Sequence, residues 1–240
     1  MNIVITGATS GIGKQLAIDY GAQGHVVWGI GRNEAQLAEL AAHGIHTESV
    51  DLLNREQTLA WGNRFDSVDL AILSAGSCEY IDMPNFDSAL LARVMRINVE
   101  TMGHSIEALL PALRRASRPH LVGIGSSAAY LPLPRAEAYG ASKAAVAYLI
   151  ETLRITLSPE QIDVSLVCPG FVKTPLTDKN DFAMPMRISV EQASRAIRRG
   201  IDKRQAEIHF PKRFTYILKT LSLLPRGIWK RIGMKMIKGS

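Results

Sequence analysis

The most distinctive chemical pair in the sequence is Tyr139 and Lys143, which stand four residues apart in the segment YGASK. In a helix this spacing places both side chains on one face. A free tyrosine has a pKa of about 10, which suits proton transfer at neutral pH poorly, and a neighbouring ammonium group lowers that pKa by favouring the phenolate. The pair therefore predicts a general acid/base, although Tyr-x-x-x-Lys alone is a common chance pattern.

A glycine-rich stretch, TGATSGIG at positions 6–13, joins the first predicted strand to the first predicted helix. Glycine lets a backbone turn tightly and approach a ligand, and a helix N-terminus offers N–H groups and the positive end of a dipole. Between a strand and a helix, this pattern predicts a site for the pyrophosphate of a dinucleotide. The alternative is a tight turn that serves helix packing. The candidate contacts are Gly7, Thr9, Ser10, Gly11, Ile12 and Gly13.

The end of the second predicted strand bears on the choice of dinucleotide. An acidic residue is typical there when NAD is preferred, but this sequence has Arg32, between Gly31 and Asn33. A guanidinium group can pair with a 2′-phosphate through two hydrogen bonds. We therefore predict NADP(H), with NAD(H) as the alternative in which Arg32 only caps the strand end. Ser10 stands where some NADP-using proteins carry a basic residue, so the prediction rests on Arg32.

Short apolar runs rich in β-branched residues alternate with longer segments of helical periodicity. The predicted strands are Ile3–Thr6, His25–Ile30, Thr47–Val50, Asp69–Leu73, His120–Gly125, Asp163–Cys168 and Glu207–Phe210. The predicted helices are Ile12–Gln23, Glu34–Ala42, Arg55–Asn63, one long helix near Phe86–Arg115, Ala138–Leu157 and Val190–Ile201, the last with a capping box at Ser189. Uniformly apolar strands alternating with helices predict an α/β fold: a single doubly wound parallel sheet (Rossmann fold) of about seven strands with helices on both faces.

This arrangement gives the polar residues at strand ends a common location. Ser126 ends the fifth predicted strand thirteen residues before Tyr139, and ligands of doubly wound sheets sit at the carboxyl ends of strands. Ser127 is the alternative, but alternation along the strand would point it to the other side.

The ordered motifs resemble the short-chain dehydrogenase/reductase family over roughly Asn2 to Phe210. They are the T-G-x-x-x-G-I-G loop, Asp51, Ala75-Gly76, Asn98, Ser126, Tyr139 with Lys143, and Pro169-Gly170. The resemblance implies that Tyr139 exchanges the proton, Ser126 orients the substrate oxygen and Lys143 holds the nicotinamide ribose while depressing the tyrosine pKa. It also implies that Asn98 holds a water that links Lys143 to solvent. The alternative for Asn98 is a polar residue within a helix that has no catalytic part.

The resemblance extends the cofactor site. It implies that Asp51 contacts the adenine, although Asp51 could equally cap a helix, and that Val172 and Thr174 hold the nicotinamide carboxamide. The family's Asn-Asn-Ala-Gly is here Leu73-Ser74-Ala75-Gly76, so Ser74 replaces a structural asparagine and reaches less far. The additional cofactor candidates are Leu52, Ser74, Ala75, Gly76, Asn98, Tyr139, Lys143, Pro169 and Gly170.

The charge is unevenly distributed. Of the net +6, residues 203–240 carry +9, from ten basic residues and Glu207, and the 18 basic and 21 acidic residues of 1–202 leave −3. We therefore predict a catalytic domain at 1–210 and a basic amphipathic C-terminal extension at 211–240, with helices at Tyr216–Leu224 and Ile228–Lys238. The extension suits peripheral contact with an anionic membrane, or packing against the domain or a second subunit. Nucleic acid is not predicted, because no aromatic platform or reading motif occurs.

A polar, aperiodic segment at Lys173–Ile188 is a candidate lid. Substrate choice is expected from its part Thr177–Ile188 and from Tyr130, Leu131, Leu133, Cys78 and Tyr80. Cys78 and Cys168 form no metal-binding spacing and are interpreted as buried intracellular thiols, so no metal is predicted. A strand at the very start, with no leader pattern, predicts a cytoplasmic protein, with the extension as its candidate contact to a membrane surface.

Together these features predict an NADP(H)-dependent oxidoreductase that transfers a hydride between the nicotinamide and a carbonyl/alcohol substrate, small to medium and hydrophobic. The resemblance implies a homodimer or homotetramer formed through the two long helices. The alternative is a dinucleotide-binding regulatory or membrane-associated interaction protein without turnover, but such a protein would not need the set Asn98, Ser126, Tyr139 and Lys143.

Overall fold

The structure is a computed structural model that describes residues 1–238, except for the side chain of Lys238. Its strands are β1 Asn2–Thr6, β2 Val26–Gly31, β3 His46–Ser49, β4 Leu70–Leu73, β5 His120–Ile124, β6 Asp163–Pro169 and β7 Glu207–Phe210. They form one seven-stranded sheet in the order β3-β2-β1-β4-β5-β6-β7, and each neighbouring pair runs parallel. The predicted doubly wound sheet is confirmed, with boundaries that differ by a residue or two.

Helices cover both faces of this sheet. They are α1 Gly11–Ala22, α2 Glu34–Ala42, α3 Arg55–Gly62, α4 Ser88–Met95, α5 Thr101–Leu113, α6 Glu137–Thr156, α7 Val190–Asp202, α8 Lys212–Ser222 and α9 Arg226–Lys238. Helices α1, α2 and α7 pack in one apolar cluster, and α3, α5 and α6 pack in the other. Since successive strand side chains point to opposite faces, both faces need apolar residues. In β1, for example, Ile3 and Ile5 enter one cluster and Val4 the other, all fully buried.

The prediction of one uninterrupted helix near Phe86–Arg115 was wrong. Helix α4 ends at Met95, a π-helical turn covers Arg96–Glu100, and α5 begins at Thr101. A π turn adds a residue to one helical turn and so rotates the face that follows. Hydrophobic periodicity does not reveal one added residue. The turn contains Asn98, which is fully buried.

The C-terminal extension forms two helices, as predicted, with earlier starts. Helix α8 begins at Lys212 rather than Tyr216, and its Thr215 and Leu218 are buried. Helix α9 begins at Arg226 rather than Ile228. The end of the predicted extension, from the side chain of Lys238 through Ser240, lies outside the described residues. None of the helices over residues 1–238 is long and apolar enough to cross a bilayer.

The packing of β5 against α6 requires a glycine. A Cβ on Gly123 would lie 2.6 Å from both Cγ1 and Cδ1 of Ile150. We expect Gly123→Ala to lower the free energy of unfolding by about 1–3 kcal/mol through overpacking, and Ile150→Ala to lower it by about 2–5 kcal/mol by leaving a cavity. The double variant should lose clearly less than the sum, because the new methyl group occupies the space that Ile150 vacates. Urea denaturation measures all three.

A matched control for this experiment is Gly103→Ala on α5, where nothing lies within 4 Å of an added Cβ. This substitution should stabilise the protein by about 0.5–1 kcal/mol through helix propensity. Strict additivity of Gly123→Ala and Ile150→Ala would contradict the packing argument.

Candidate active site

The candidate site lies where the chain reverses its direction of travel across the sheet. Strands β1 and β4 are neighbours, and the chain continues from β1 toward β3 and from β4 toward β7. A crevice forms at the carboxyl ends of strands at such a switch point. A cleft of about 280 Å³ opens there. The predicted site residues that line it are Gly7, Thr9, Ser10, Gly11, Ile12, Arg32, Asp51, Leu52, Ser74, Ala75, Gly76, Ser126, Tyr139, Lys143, Pro169, Gly170, Val172 and Thr174.

The glycine loop forms one wall of this cleft. Gly7 and Gly11 have φ of +65° and +53°, a region that favours glycine. A Cβ on Gly7 would lie 2.7 Å from the backbone of Ala75, and one on Gly13 would lie 2.4 Å from the carbonyl oxygen of Gly7. Gly13 therefore packs beneath the loop and does not line the cleft. Helix α1 begins at Gly11 without a capping hydrogen bond from the side chain of Ser10. These backbone groups fit a pyrophosphate.

The loop after β4 is held against β1 by the hydroxyl group of Thr6. Its Oγ1 accepts hydrogen bonds from the backbone N–H groups of Ser74 (3.1 Å) and Ala75 (3.3 Å). Ser74, which stands where the family has a structural asparagine, thus helps to hold the loop through its backbone N–H, a group that does not depend on the side chain.

Arg32 and Asp51 lie at the far end of the cleft, after β2 and β3. Nη1 of Arg32 is 4.0 Å from Oδ1 of Asp51, and the Arg32 side chain is 66% exposed. Oδ1 of Asp51 accepts a hydrogen bond from the N–H of Leu53 at 3.2 Å. The cap of α3 is Asn54, which accepts from the N–H of Gln57, so the alternative that Asp51 caps this helix was wrong.

Ser126, Tyr139 and Lys143 meet at the other end of the cleft. Ser126 lies just beyond β5, and its Oγ accepts a hydrogen bond from the N–H of Ala128. Ser127 begins a 3₁₀ turn and is not among the lining residues, so the structure brings Ser126 to the cleft. Tyr139 stands on the first turn of α6. One turn later, Nζ of Lys143 lies 5.9 Å from the centre of the Tyr139 ring and donates to the carbonyl oxygen of Ile124 at 3.1 Å.

Burial controls the protonation of both groups. It raises the pKa of Tyr139 above its usual range, an effect that the hydrogen bond with Ser126 partly offsets. Burial also lowers the pKa of Lys143 to about 8. The expected depression of the tyrosine pKa by the lysine is therefore not seen in the cleft as it stands, where desolvation raises that pKa. At neutral pH Tyr139 is a neutral hydroxyl group that can donate a proton, and Lys143 is mostly charged.

Asn98 lies behind the cleft and joins three elements. Its Oδ1 accepts from the N–H of Ser77 at 2.7 Å, and its Nδ2 donates to the carbonyl oxygen of Ser77 (3.0 Å) and to Oγ of Ser142 (2.8 Å). A Cβ on Gly76 would lie 2.9 Å from Oδ1 of Asn98 and 3.5 Å from Nζ of Lys143. Asn98 thus fixes the loop after β4 against α6 beside Lys143.

Aromatic rings extend from the site toward the predicted lid. The ring of Tyr80 lies 6.5 Å from that of Tyr139 and 5.3 Å from that of Phe182, which in turn lies 6.1 Å from Phe171. Tyr130, expected to influence substrate choice, instead donates to Oε1 of Glu207 at 2.6 Å.

The sequence reasoning missed several residues that line the cleft. Thr177, expected only as part of the segment that sets substrate choice, also lines the cleft, and its Oγ1 accepts hydrogen bonds from the N–H of Thr174 and from Arg187, which pairs with Asp178. Its hydroxyl group three residues after Thr174 was the available signal for this position. Leu176 likewise belongs to the candidate lid, and the missed lining residues are Gly31, Val50, Leu53, Ser77, Ile97, Thr101, Ile124 and Gly125.

The two cysteines are free thiols. Burial raises the pKa of Cys168 to about 11 and also raises that of Cys78. Both groups are therefore protonated at neutral pH and are poor nucleophiles.

Residues 1–184 match the family model of the short chain dehydrogenases, and this match decides the family. The chain belongs to the short-chain dehydrogenase family of NAD(P)-dependent oxidoreductases. This short-chain dehydrogenase is 30% identical to an uncharacterized oxidoreductase of Myxococcus xanthus over 94% of its own length and 93% of the relative's. It is also 30% identical to 11-beta-hydroxysteroid dehydrogenase-like 3 of Arabidopsis thaliana, over 91% and 76% of the two chains. A solved short-chain dehydrogenase from Sphingobium yanoikuyae in complex with NADPH shares 25% identity over 88% of each chain, with a TM-score of 0.78.

The contacts of Asn98 predict a measurable role in stability. We expect Asn98→Ala to lower the free energy of unfolding of this dehydrogenase by about 2–4 kcal/mol, because backbone groups of Ser77 lose their partner. The control Ser142→Ala removes only one partner of Asn98 and should cost about 1 kcal/mol. Thermal and urea unfolding measure both, and equal losses in the two variants would show that the bonds to Ser77 contribute nothing.

Proposed function

We propose that the protein is an NADP(H)-dependent oxidoreductase that interconverts a carbonyl compound and an alcohol, with Tyr139 as the general acid/base. The observation that best supports this is the meeting of Ser126, Tyr139 and Lys143 at one end of a cleft whose wall is the glycine loop at the start of α1. A bound nicotinamide would supply or accept the hydride. The residues of the chain have the task of orienting the substrate and moving one proton.

In the direction of reduction, the neutral hydroxyl group of Tyr139 donates its proton to the carbonyl oxygen. Its raised pKa keeps that proton available at neutral pH. The Ser126 hydroxyl donates a hydrogen bond to the same oxygen and stabilises the charge that develops on it. The Lys143 ammonium group stabilises the phenolate that Tyr139 leaves behind. In oxidation the phenolate removes the proton. Asn98, which is bonded to Ser77 and Ser142, would hold a water that links Lys143 to solvent, and this relay would replenish the proton.

The preference for NADP(H) is proposed from Arg32. Its exposed guanidinium group lies at the far end of the cleft, opposite the catalytic groups, where a 2′-phosphate would pair with it. Asp51, 4.0 Å away, would keep the guanidinium group in position. The related structure from Sphingobium yanoikuyae, which contains NADPH, supports the same choice.

A hydrophobic substrate is proposed from the rings that continue beyond Tyr139. The rings of Tyr80, Phe182 and Phe171 offer flat apolar surfaces. Met184 and Met186, in the candidate lid with Phe182, have flexible side chains that can fit apolar substrates of different shape. The name of the Arabidopsis relative, a hydroxysteroid dehydrogenase, supports an apolar alcohol or ketone. Assembly into a homodimer or homotetramer is proposed through the long helices, where Tyr148 of α6 is 78% exposed.

The role of Tyr139 is tested by Tyr139→Phe. We expect kcat for reduction of a panel of apolar ketones, followed by NADPH absorbance, to fall by at least about 10³-fold because the donated proton is lost. The Kd for NADPH, measured by fluorescence titration, should change little. The control Tyr148→Phe removes an exposed hydroxyl group from the same helix and should be neutral. Wild-type activity in Tyr139→Phe would refute the mechanism, and NADPH binding without turnover in the wild type would favour the regulatory alternative.

The role of Arg32 is tested by Arg32→Ala. The loss of a charge-assisted pair should raise KM for NADPH by roughly 10- to 100-fold, while KM for NADH stays nearly constant. Arg64→Ala, which removes an arginine paired with Glu48 on β3, serves as the control. A wild-type protein with a lower KM for NADH than for NADPH would contradict the proposal.

A further inference from the structure

The surface of residues 211–238, here termed the docking segment, combines positive charge with exposed apolar side chains. Between Pro211 and Ser240 the sequence contains eight Lys and Arg residues and no Asp or Glu. Within the described residues, fifteen large apolar side chains are exposed, and seven of them belong to this one-eighth of the chain. Those seven are Tyr216, Ile217, Leu223, Ile228, Met234, Met236 and Ile237.

The docking segment lies at the carboxyl ends of the strands, as the cleft does. Helix α8 follows the carboxyl end of β7, and the ring of its Phe214 lies 5.4 Å from that of Phe171. On α9, Nε1 of Trp229 donates to the carbonyl oxygen of Pro132, in the loop after β5, at 2.8 Å. These contacts fix the segment to the domain, so its outer side chains form a surface with a defined orientation.

We propose that the docking segment binds the headgroup layer of an anionic lipid bilayer. Leu223, in the turn between α8 and α9, is 84% exposed, and Ile228 on the first turn of α9 is 47% exposed. These two side chains enter the interface, where burial of apolar surface favours binding. Arg231 and Lys235 lie on the same side of α9 as Ile228, three and seven residues after it, and so come near the lipid phosphates, which attract each basic residue. The cleft edge of the protein faces the membrane as a result.

The charge of the segment favours lipid over the other surfaces that could cover it. In a two-fold contact between copies of this chain, the same patch would face itself, so two strongly basic segments would repel each other. Among the basic side chains of the segment that the structure describes, Lys219 is the one that forms an ion pair, and its partner is Glu207. A nucleic acid would neutralise the charge but would leave the apolar side chains exposed to water. An anionic bilayer satisfies both features.

Sedimentation with vesicles tests the proposal on the full-length protein. We expect the protein to sediment with phosphatidylcholine vesicles that contain about 30% phosphatidylglycerol, and to remain in the supernatant with phosphatidylcholine alone. Salt at about 1 M should weaken binding strongly, because the Debye length shrinks to about 3 Å. Arg231→Glu should weaken binding by roughly fivefold or more, and Leu223→Ser with Ile228→Ser by roughly tenfold or more.

Matched controls lie at the amino ends of the strands, on the side of the sheet opposite to the cleft. Arg118→Glu reverses an exposed charge in the loop before β5, and Val26→Ser with Ile155→Ser removes exposed apolar side chains at the start of β2 and the end of α6. Both should bind vesicles as the wild type does. Equal sedimentation with and without phosphatidylglycerol would overturn the proposal, and so would wild-type binding by the Leu223/Ile228 variant. Light scattering completes the test, since a change of oligomer mass in that variant with unchanged vesicle binding would assign the segment to a subunit contact instead.

Discussion

The structure depends most on the close approach of two backbone loops, the one after β1 and the one after β4. The backbone of Gly7 lies so near to that of Ala75 that a Cβ would come within 2.7 Å, and the hydroxyl group of Thr6 binds both N–H groups of the second loop. This contact holds the two loops together at the carboxyl ends of β1 and β4, and the cleft lies beside it. Asn98 bonds Ser77 in the loop after β4 and Ser142 on α6, so the loop is also fixed against the helix that carries Lys143.

The burial that builds this site also sets its chemistry. Taken out of water, a hydroxyl group keeps its proton more firmly and an ammonium group loses its proton more easily. Tyr139 thereby keeps its hydroxyl proton at neutral pH, and the pKa of Lys143, about 8, lies close to the pH at which the ammonium group loses its charge. An anionic group bound beside Lys143 would favour its charged form. The protonation of Lys143 would therefore depend on the charge of what occupies the cleft.

Much of this architecture could be predicted from the sequence, because its signals are local. Apolar runs defined the strands, the glycine spacing located one wall of the cleft, and the Tyr139–Lys143 pair located one of its ends. The π turn at Arg96–Glu100 could not be predicted, since one added residue hardly alters the hydrophobic period. The partner of Tyr130 was equally hidden, because Glu207 lies 77 positions away in the sequence and only the assembled sheet brings the two together. Prediction failed where a contact required the complete tertiary arrangement.

The C-terminal extension illustrates why charge along a sequence and charge on a surface are different quantities. In sequence, residues 203–240 are a uniformly basic region, yet Lys219 turns inward to Glu207, whose other oxygen accepts from Tyr130. One basic residue thus helps to attach α8 to the sheet, together with Leu218 and the buried hydroxyl group of Thr215. The other basic side chains that the structure describes in this segment are exposed: Lys212, Arg213, Arg226, Lys230, Arg231 and Lys235. Because α8 and α9 are fixed beside the cleft by Phe214 and Trp229, any partner of that outer surface also determines which way the cleft opens.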